Sequence, residues 1–221
     1  MRIVLLPGLH GTADLFDAFV AAAPPGWDVV PLALPAIASY DELAVRMQPG
    51  IVEQGRCVLL AESFSGPLGV RLANHCENVA ALVLASSFVA APRWRWLRIF
   101  AVPPLFAMPR PRTSVRWFLC GPDASDALVD RIRAIARTLP PELIAERVRE
   151  VLRLRPLSCT RPLLFLRGTK DHLVPPGVIN ALPADATVVR IASPHALLQT
   201  KPAEAWQAIT EWAKGVDSPR A

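Results

Sequence analysis

Six short apolar runs punctuate this chain, at residues 3–6, 29–32, 57–61, 81–85, 163–167 and 187–191, and several of them contain no polar residue at all. A strand with one wet face alternates apolar and polar side chains. A strand covered on both faces stays apolar from end to end, which is the mark of a central parallel strand. Between the runs lie helix-like segments at 14–22, 40–52, 67–75, 178–182 and 203–214. Ser39 followed by Glu42 reads as a capping box that opens the second of them. Strands alternating with helices imply right-handed crossovers and an α/β fold, here a doubly wound, mostly parallel sheet of about six strands. At 221 residues, without internal repeats, the chain is expected to form a single domain, 1–221, with a substantial core.

Several broad classes are excluded or disfavoured. No stretch of about 18 uninterrupted apolar residues is present, so a transmembrane helix is not expected. The run after Met1 is too short for a signal peptide and reads as a first strand ending at Pro7-Gly8. Cys57, Cys76, Cys120 and Cys159 are widely spaced, with no zinc-like or redox pairing. Buried free thiols in a reducing cytoplasm are the expectation. His, Asp and Glu residues show no metal-ligand spacing and there is no glycine-rich phosphate fingerprint, so neither a metal nor a cofactor is expected.

One long insertion breaks the alternation, from about residue 91 to 156. Its first half mixes Trp, Arg and Pro, as in Arg93-Trp94-Arg95-Trp96-Leu97-Arg98. Its second half carries helical apolar stripes, Leu128, Ile132 and Ile135, then Leu143, Ile144, Val148 and Val151. A helical cap over the sheet edge fits this pattern, packed onto the body and able to line an acyl pocket. The net charge of +5 is concentrated here: residues 93–155 hold thirteen Arg, no Lys and six acidic residues, and the remainder is slightly acidic. Such a basic, Trp-containing segment reads either as a solvated face or as a docking surface for an acidic carrier protein or an anionic membrane. Nucleic acid is not an expected partner, because no recognition module accompanies the charge.

Chemistry is concentrated at three strand ends. The run at 57–61 leads straight into Glu62-Ser63-Phe64-Ser65-Gly66, after which a helix begins. A serine hydroxyl becomes a useful nucleophile when a sharp turn exposes it and a base takes its proton. Small neighbours let strand and helix pack around such a turn. Asp171 follows the fifth apolar run and His195 the sixth. In open parallel sheets, ligands bind beyond the carboxyl ends of the strands, where these three residues would converge.

With those residues in place, the chain resembles the α/β-hydrolase superfamily over nearly its whole length, as a compact member that starts at the oxyanion-loop strand and lacks the family's early antiparallel strands. Four segments carry the likeness: Leu5-Leu6-Pro7-Gly8-Leu9-His10-Gly11-Thr12, Ala61-Glu62-Ser63-Phe64-Ser65-Gly66, Leu164 to Pro175 around Asp171, and Ser193-Pro194-His195-Ala196-Leu197-Leu198. The departures are Ala61 and Ser65, where the family usually has glycine, and Pro194, where glycine often precedes the histidine. The resemblance implies Ser63 as nucleophile, His195 as base and Asp171 as the acid that orients it. It also implies that the backbone amides of Leu9 and Phe64 form the oxyanion hole. A serine at the elbow disfavours the dehalogenase and epoxide-hydrolase reactions, which use aspartate there. Cleavage of a carboxylic ester or thioester with an apolar acyl group is expected, and an idle hydrolase-fold binding protein is the rival class. His10, His75 and His172 read as structural, and Glu62 as a group that bonds nearby backbone or tunes the site.

Overall fold

A computed structural model of the chain describes residues 1–91, 101–108 and 110–216. Its six strands are β1 (Arg2–Leu6), β2 (Asp28–Pro31), β3 (Cys57–Glu62), β4 (Val79–Ala85), β5 (Leu163–Gly168) and β6 (Thr187–Ile191). They form one sheet in the order β2-β1-β3-β4-β5-β6, every neighbouring pair parallel. The uniformly apolar runs have the anticipated cause. Along each central strand, alternate side chains enter two separate cores on opposite faces of the sheet. Val4, Leu6, Leu59, Ala61, Leu82, Leu84 and Phe165 enter one core. Ile3, Leu5, Val58, Leu60, Val83, Leu164 and Leu166 enter the other.

The first core is covered by α2 (Tyr40–Val52) and α3 (Gly66–His75), the second by α1 (Asp17–Ala21), α8 (Leu197–Thr200) and α9 (Pro202–Val216). Helix α2 begins where its cap predicts: the Ser39 hydroxyl accepts the Glu42 N–H at 3.4 Å. Its buried residues Tyr40, Leu43, Met47 and Ile51 follow the helical repeat. On the other face, Trp206 stacks on Phe19 with ring centroids 4.5 Å apart and donates its indole N–H to the Phe19 carbonyl.

The differences from the sequence reading are local. Segment 14–22 splits into a 3-10 turn, Ala13–Phe16, capped by Thr12, followed by the short α1. Segment 178–182 is a 3-10 turn, Pro176–Ala181, too short to propagate as an α-helix after Pro175-Pro176-Gly177. Strand β2 contains Pro31, which is tolerated because β2 is the sheet edge and an absent N–H there breaks no inner ladder.

Between β4 and β5 run α4 (Pro103–Ala107), α5 (Arg112–Val115), a π-helical turn (Arg116–Cys120), α6 (Asp126–Thr138) and α7 (Pro141–Arg153). Val115, Cys120, Val129 and Ile132 join Leu15 in a third, smaller cluster. The cluster of Arg93, Trp94, Arg95, Trp96 and Arg98 lies outside the described residues. All four cysteines are free, and three of them are buried. Among the described residues, no helix is long and apolar enough to cross a membrane.

The strand order locates the functional crevice. From β1 the chain crosses to β2 on one side and then to β3 on the other, so the connections leaving β1 and β3 diverge. In such sheets that divergence is where ligands bind.

Candidate active site

Ser63 follows directly on β3, in a 3-10 turn (Ser63–Ser65) that becomes α3. Its φ is +50°, one of only two positive values at non-glycine residues among those described. An L-residue in that region carries strain, which the surroundings must hold in place. The restraint is visible. Ser87, fully buried at the end of β4, donates its hydroxyl to the Ser63 carbonyl at 2.5 Å. Gly66 makes the approach possible, since a Cβ there would lie 1.9 Å from Ser87 Oγ.

The departures from the usual elbow pattern are absorbed by other residues. Ala61 stands where a glycine is expected, and the facing helix supplies Gly69 in its place. A Cβ on Gly69 would come within 2.7 Å of the Ala61 Cβ. The extra hydroxyl of Ser65 is fully buried and donates to the Pro7 carbonyl, tying the elbow to the loop after β1. Pro194 is accommodated beside Gly168, where a Cβ would sit 2.7 Å from the Pro194 carbonyl oxygen.

The structure brings the three side chains into one hydrogen-bonded series. His195 Nε2 is 2.9 Å from Ser63 Oγ, and His195 Nδ1 is 2.9 Å from Asp171 Oδ2. The loop after β6 that carries His195 is fixed from both sides, by Lys170 N–H to the Ser193 carbonyl and by Ala196 N–H to the Leu119 carbonyl. The Asp171 side chain is 1% exposed, and its second oxygen accepts the N–H groups of Leu173 and Val174 at 2.8 and 2.9 Å. Burial alone would raise this carboxyl. Its bonds to His195 and to the two backbone amides outweigh burial and hold it below the usual aspartate value. Such a series can move the serine proton onto the imidazole while the carboxylate fixes the ring and balances the imidazolium.

Leu9 and Phe64, expected to supply the oxyanion amides, flank the serine on the wall of one cavity. Phe64 is held by Tyr40, whose hydroxyl donates to the Phe64 carbonyl at 2.9 Å and whose ring lies 4.8 Å from the Phe64 ring. The cavity measures about 900 Å³, at the upper end of small-molecule sites. Ser63 and His195 face it from the sheet, and Phe106, Leu119, Ile135, Val148 and Val151 close it from the β4–β5 connection. The apolar stripes of α6 and α7 therefore both pack against the body and wall the cavity.

The remaining candidates resolve as follows. His10 accepts the Thr12 N–H on Nδ1 and is pulled down to about 4, by burial first and then by the charge of Arg147. His172 stacks on Trp117, and His75 bonds the Arg71 carbonyl. Glu62 is buried beside the site, accepts Gln199 Nε2 at 2.9 Å and is raised by burial. The sequence reading missed Tyr40, Ser87 and Arg147. Only Arg147 left a signal: it falls on the helical stripe of Leu143, Ile144, Val148 and Val151, and is 1% exposed.

No protein-family model matches the chain, and neither does any curated protein. Solved structures do. A thermophilic esterase from Thermogutta terrifontis superposes with a TM-score of 0.78 at 20% identity, covering 99% of this chain and 91% of its own. MenH from S. aureus gives 0.78 at 13% identity, over 99% and 95% of the two chains. The enol-lactonase from Burkholderia xenovorans LB400 gives 0.77 at 17% identity, over 96% and 91%. The chain has the α/β-hydrolase fold.

Proposed function

We propose that this protein is a serine hydrolase that cleaves a carboxylic ester or thioester bearing an apolar acyl group. One observation carries the reading: a serine in a strained strand-to-helix turn, hydrogen-bonded to a histidine that is itself bonded to a buried aspartate, opening onto a large apolar cavity. An esterase and a lactonase among the structures of similar fold accord with it.

In this reading Ser63 Oγ attacks the carbonyl carbon as His195 Nε2 takes its proton. The carbonyl π electrons move to oxygen, and the Leu9 and Phe64 amides hold the resulting oxyanion. Collapse expels the alkoxide or thiolate, which leaves with the proton from His195. Water then attacks the acyl-enzyme by the same route and releases the acid. The apolar wall contributed by α4 to α7 receives the acyl chain, where burial stabilises it by about 0.8 kcal/mol per methylene.

The test is a fluorophosphonate probe followed by a panel of p-nitrophenyl esters and acyl-thioesters of graded chain length. Covalent labelling at Ser63, lost in Ser63→Ala, with kcat/KM rising with chain length, is the expected result. An idle binding protein would take no label, and the relative rates on the two series decide between ester and thioester.

A further inference from the structure

Among the described residues, Arg147 is a cation buried without a counter-ion. It projects from α7 and is 1% exposed, and among the described residues no carboxylate pairs with it. Its guanidinium is satisfied by backbone carbonyls alone. Nη1 donates to Leu9 O at 2.7 Å, Nη2 to Pro35 O at 2.7 Å and Nε to Ile37 O at 3.0 Å. Its central carbon also lies 5.3 Å from the centroid of the Phe64 ring, within cation–π range. Gly11, at φ +76°, opens the space, since a Cβ there would stand 3.0 Å from Nη1.

A buried charge without a partner is costly, and a purely structural tether between α7 and the sheet would be cheaper as packed apolar side chains. What distinguishes this placement is its two targets. Leu9 and Phe64 are the two residues whose amides are assigned to the oxyanion, and they leave different strands, β1 and β3. Arg147 touches both, bonding the Leu9 carbonyl and lying over the Phe64 ring. From these contacts we infer that Arg147 is a positioning residue: it sets the spacing of the two oxyanion amides and holds a fixed positive charge behind them. This rests on the serine-hydrolase reading above. Its planar fork matters as much as its charge, because a lysine ammonium cannot reach three carbonyls in three directions. The inference also ties the β4–β5 connection to the chemistry, since movement of α7 would reach both amides through one side chain.

The test compares the wild type with Arg147→Lys and, independently, with Phe64→Leu, which removes the ring beneath the guanidinium. The readouts are the fluorophosphonate labelling rate, kcat and KM on a p-nitrophenyl ester, and affinity for two ligands. One ligand is a trifluoromethyl ketone, which forms an oxyanion on the serine. The other is the matching secondary alcohol, which does not. Removing a whole oxyanion donor costs about 10²- to 10³-fold in kcat, so displacing two without removing either is expected to cost about ten- to a hundredfold. Trifluoromethyl ketone affinity should fall by the same factor, and in Arg147→Lys KM, alcohol affinity and the pH profile should stay within threefold of the wild type.

A variant that keeps its melting temperature and loses less than twofold on the labelling rate and the ketone overturns the inference. So does a loss confined to KM or to thermal stability, which would leave Arg147 as a tether only. A wild-type chain that takes up neither fluorophosphonate nor ketone overturns the hydrolase reading and this inference with it. A wild type that reacts, beside variants that react equally, overturns the inference alone.

Discussion

Gly66→Ala is the substitution for which the structure gives the most explicit cost. The added methyl would sit 1.9 Å from Ser87 Oγ, and 3.0 Å from both the Ser87 Cβ and the Phe88 carbonyl oxygen. A 1.9 Å approach is far inside van der Waals contact, so the Ser87 side chain must rotate away. That removes the 2.5 Å hydrogen bond from the buried Ser87 hydroxyl to the Ser63 carbonyl. Overpacking of this kind costs about 1–3 kcal/mol. Leaving a buried acceptor unmet adds about 1–3 kcal/mol. Alanine returns less than about 1 kcal/mol in helix propensity at this first position of α3. The net expectation is a loss of about 1–6 kcal/mol, with a slower fluorophosphonate reaction because the strained serine loses its restraint. The double variant with Ser87→Ala decides the mechanism. Ser87→Ala alone should cost about 1–3 kcal/mol through the lost bond. Once it is made, the hydroxyl that clashes is gone, and Gly66→Ala should add only about 1 kcal/mol for the remaining 3.0 Å contacts. Urea denaturation with unchanged m-values measures all three variants. Strictly additive costs, or a loss below about 0.5 kcal/mol for Gly66→Ala alone, would refute the reasoning.

Asp171→Asn should preserve the fold and its bonds from Leu173 and Val174 but favour the wrong histidine tautomer. The corresponding change in serine proteases lowers turnover by about 10⁴, and a loss below about tenfold in ester assays would point to another acid. His10 takes a proton near 6.5 when unfolded and only at about 4 when folded, so the unfolded chain binds the extra proton between those values. Stability should therefore fall by up to about 3 kcal/mol as pH drops from about 6.5 to 4, and His10→Asn should flatten that slope in denaturation curves at several pH values. Reversing Arg93, Arg95 and Arg98 to Glu should leave hydrolysis of a small neutral ester unchanged while weakening salt-sensitive binding to an acidic carrier or to anionic liposomes. Binding that is absent, or insensitive to salt, in the wild type would reduce that cluster to a solvated face.

The fold was legible because both faces of the sheet are covered. That condition leaves uninterrupted apolar runs at β1, β3, β4 and β5, and such runs are visible without knowing what they touch. Ser63, Asp171 and His195 were legible for a related reason, since each follows a run closely and parallel strands present their carboxyl ends together. The fine structure of the elbow was not. Whether Ala61 and Ser65 are tolerated depends on Gly69 across the helix interface and on the Pro7 carbonyl, and nothing local announces either contact. Tyr40 and Ser87 hold the elbow from other elements through backbone carbonyls, which carry no side-chain signature. The split of segment 14–22 escaped detection because a 3-10 turn and a short α-helix share the same apolar spacing over one turn.

The basic charge between residues 93 and 155 also changes meaning once it is placed. Arg112 pairs with Asp130 and Asp126, Arg116 with Asp126, Arg133 with Asp130, and Arg131 with Asp17 at the start of α1. These pairs are largely exposed, where an ion pair contributes little to stability. Their geometric effect is to tie α5, the π-helical turn and α6 to one another, and α6 to α1. Arg110 lies on the cavity wall and bonds the Ala136 carbonyl, while Arg147 is buried against the loop after β1. Six arginines that sequence alone would count toward an anionic docking surface are therefore engaged within the molecule. What remains for such a surface, besides the cluster at 93–98, is Arg137, Arg149, Arg153 and Arg155, on α6, α7 and the segment that follows. Arg112, Arg116, Arg133 and Arg147 each bond two or more partners in different directions, which a forked guanidinium does and a compact ammonium does not.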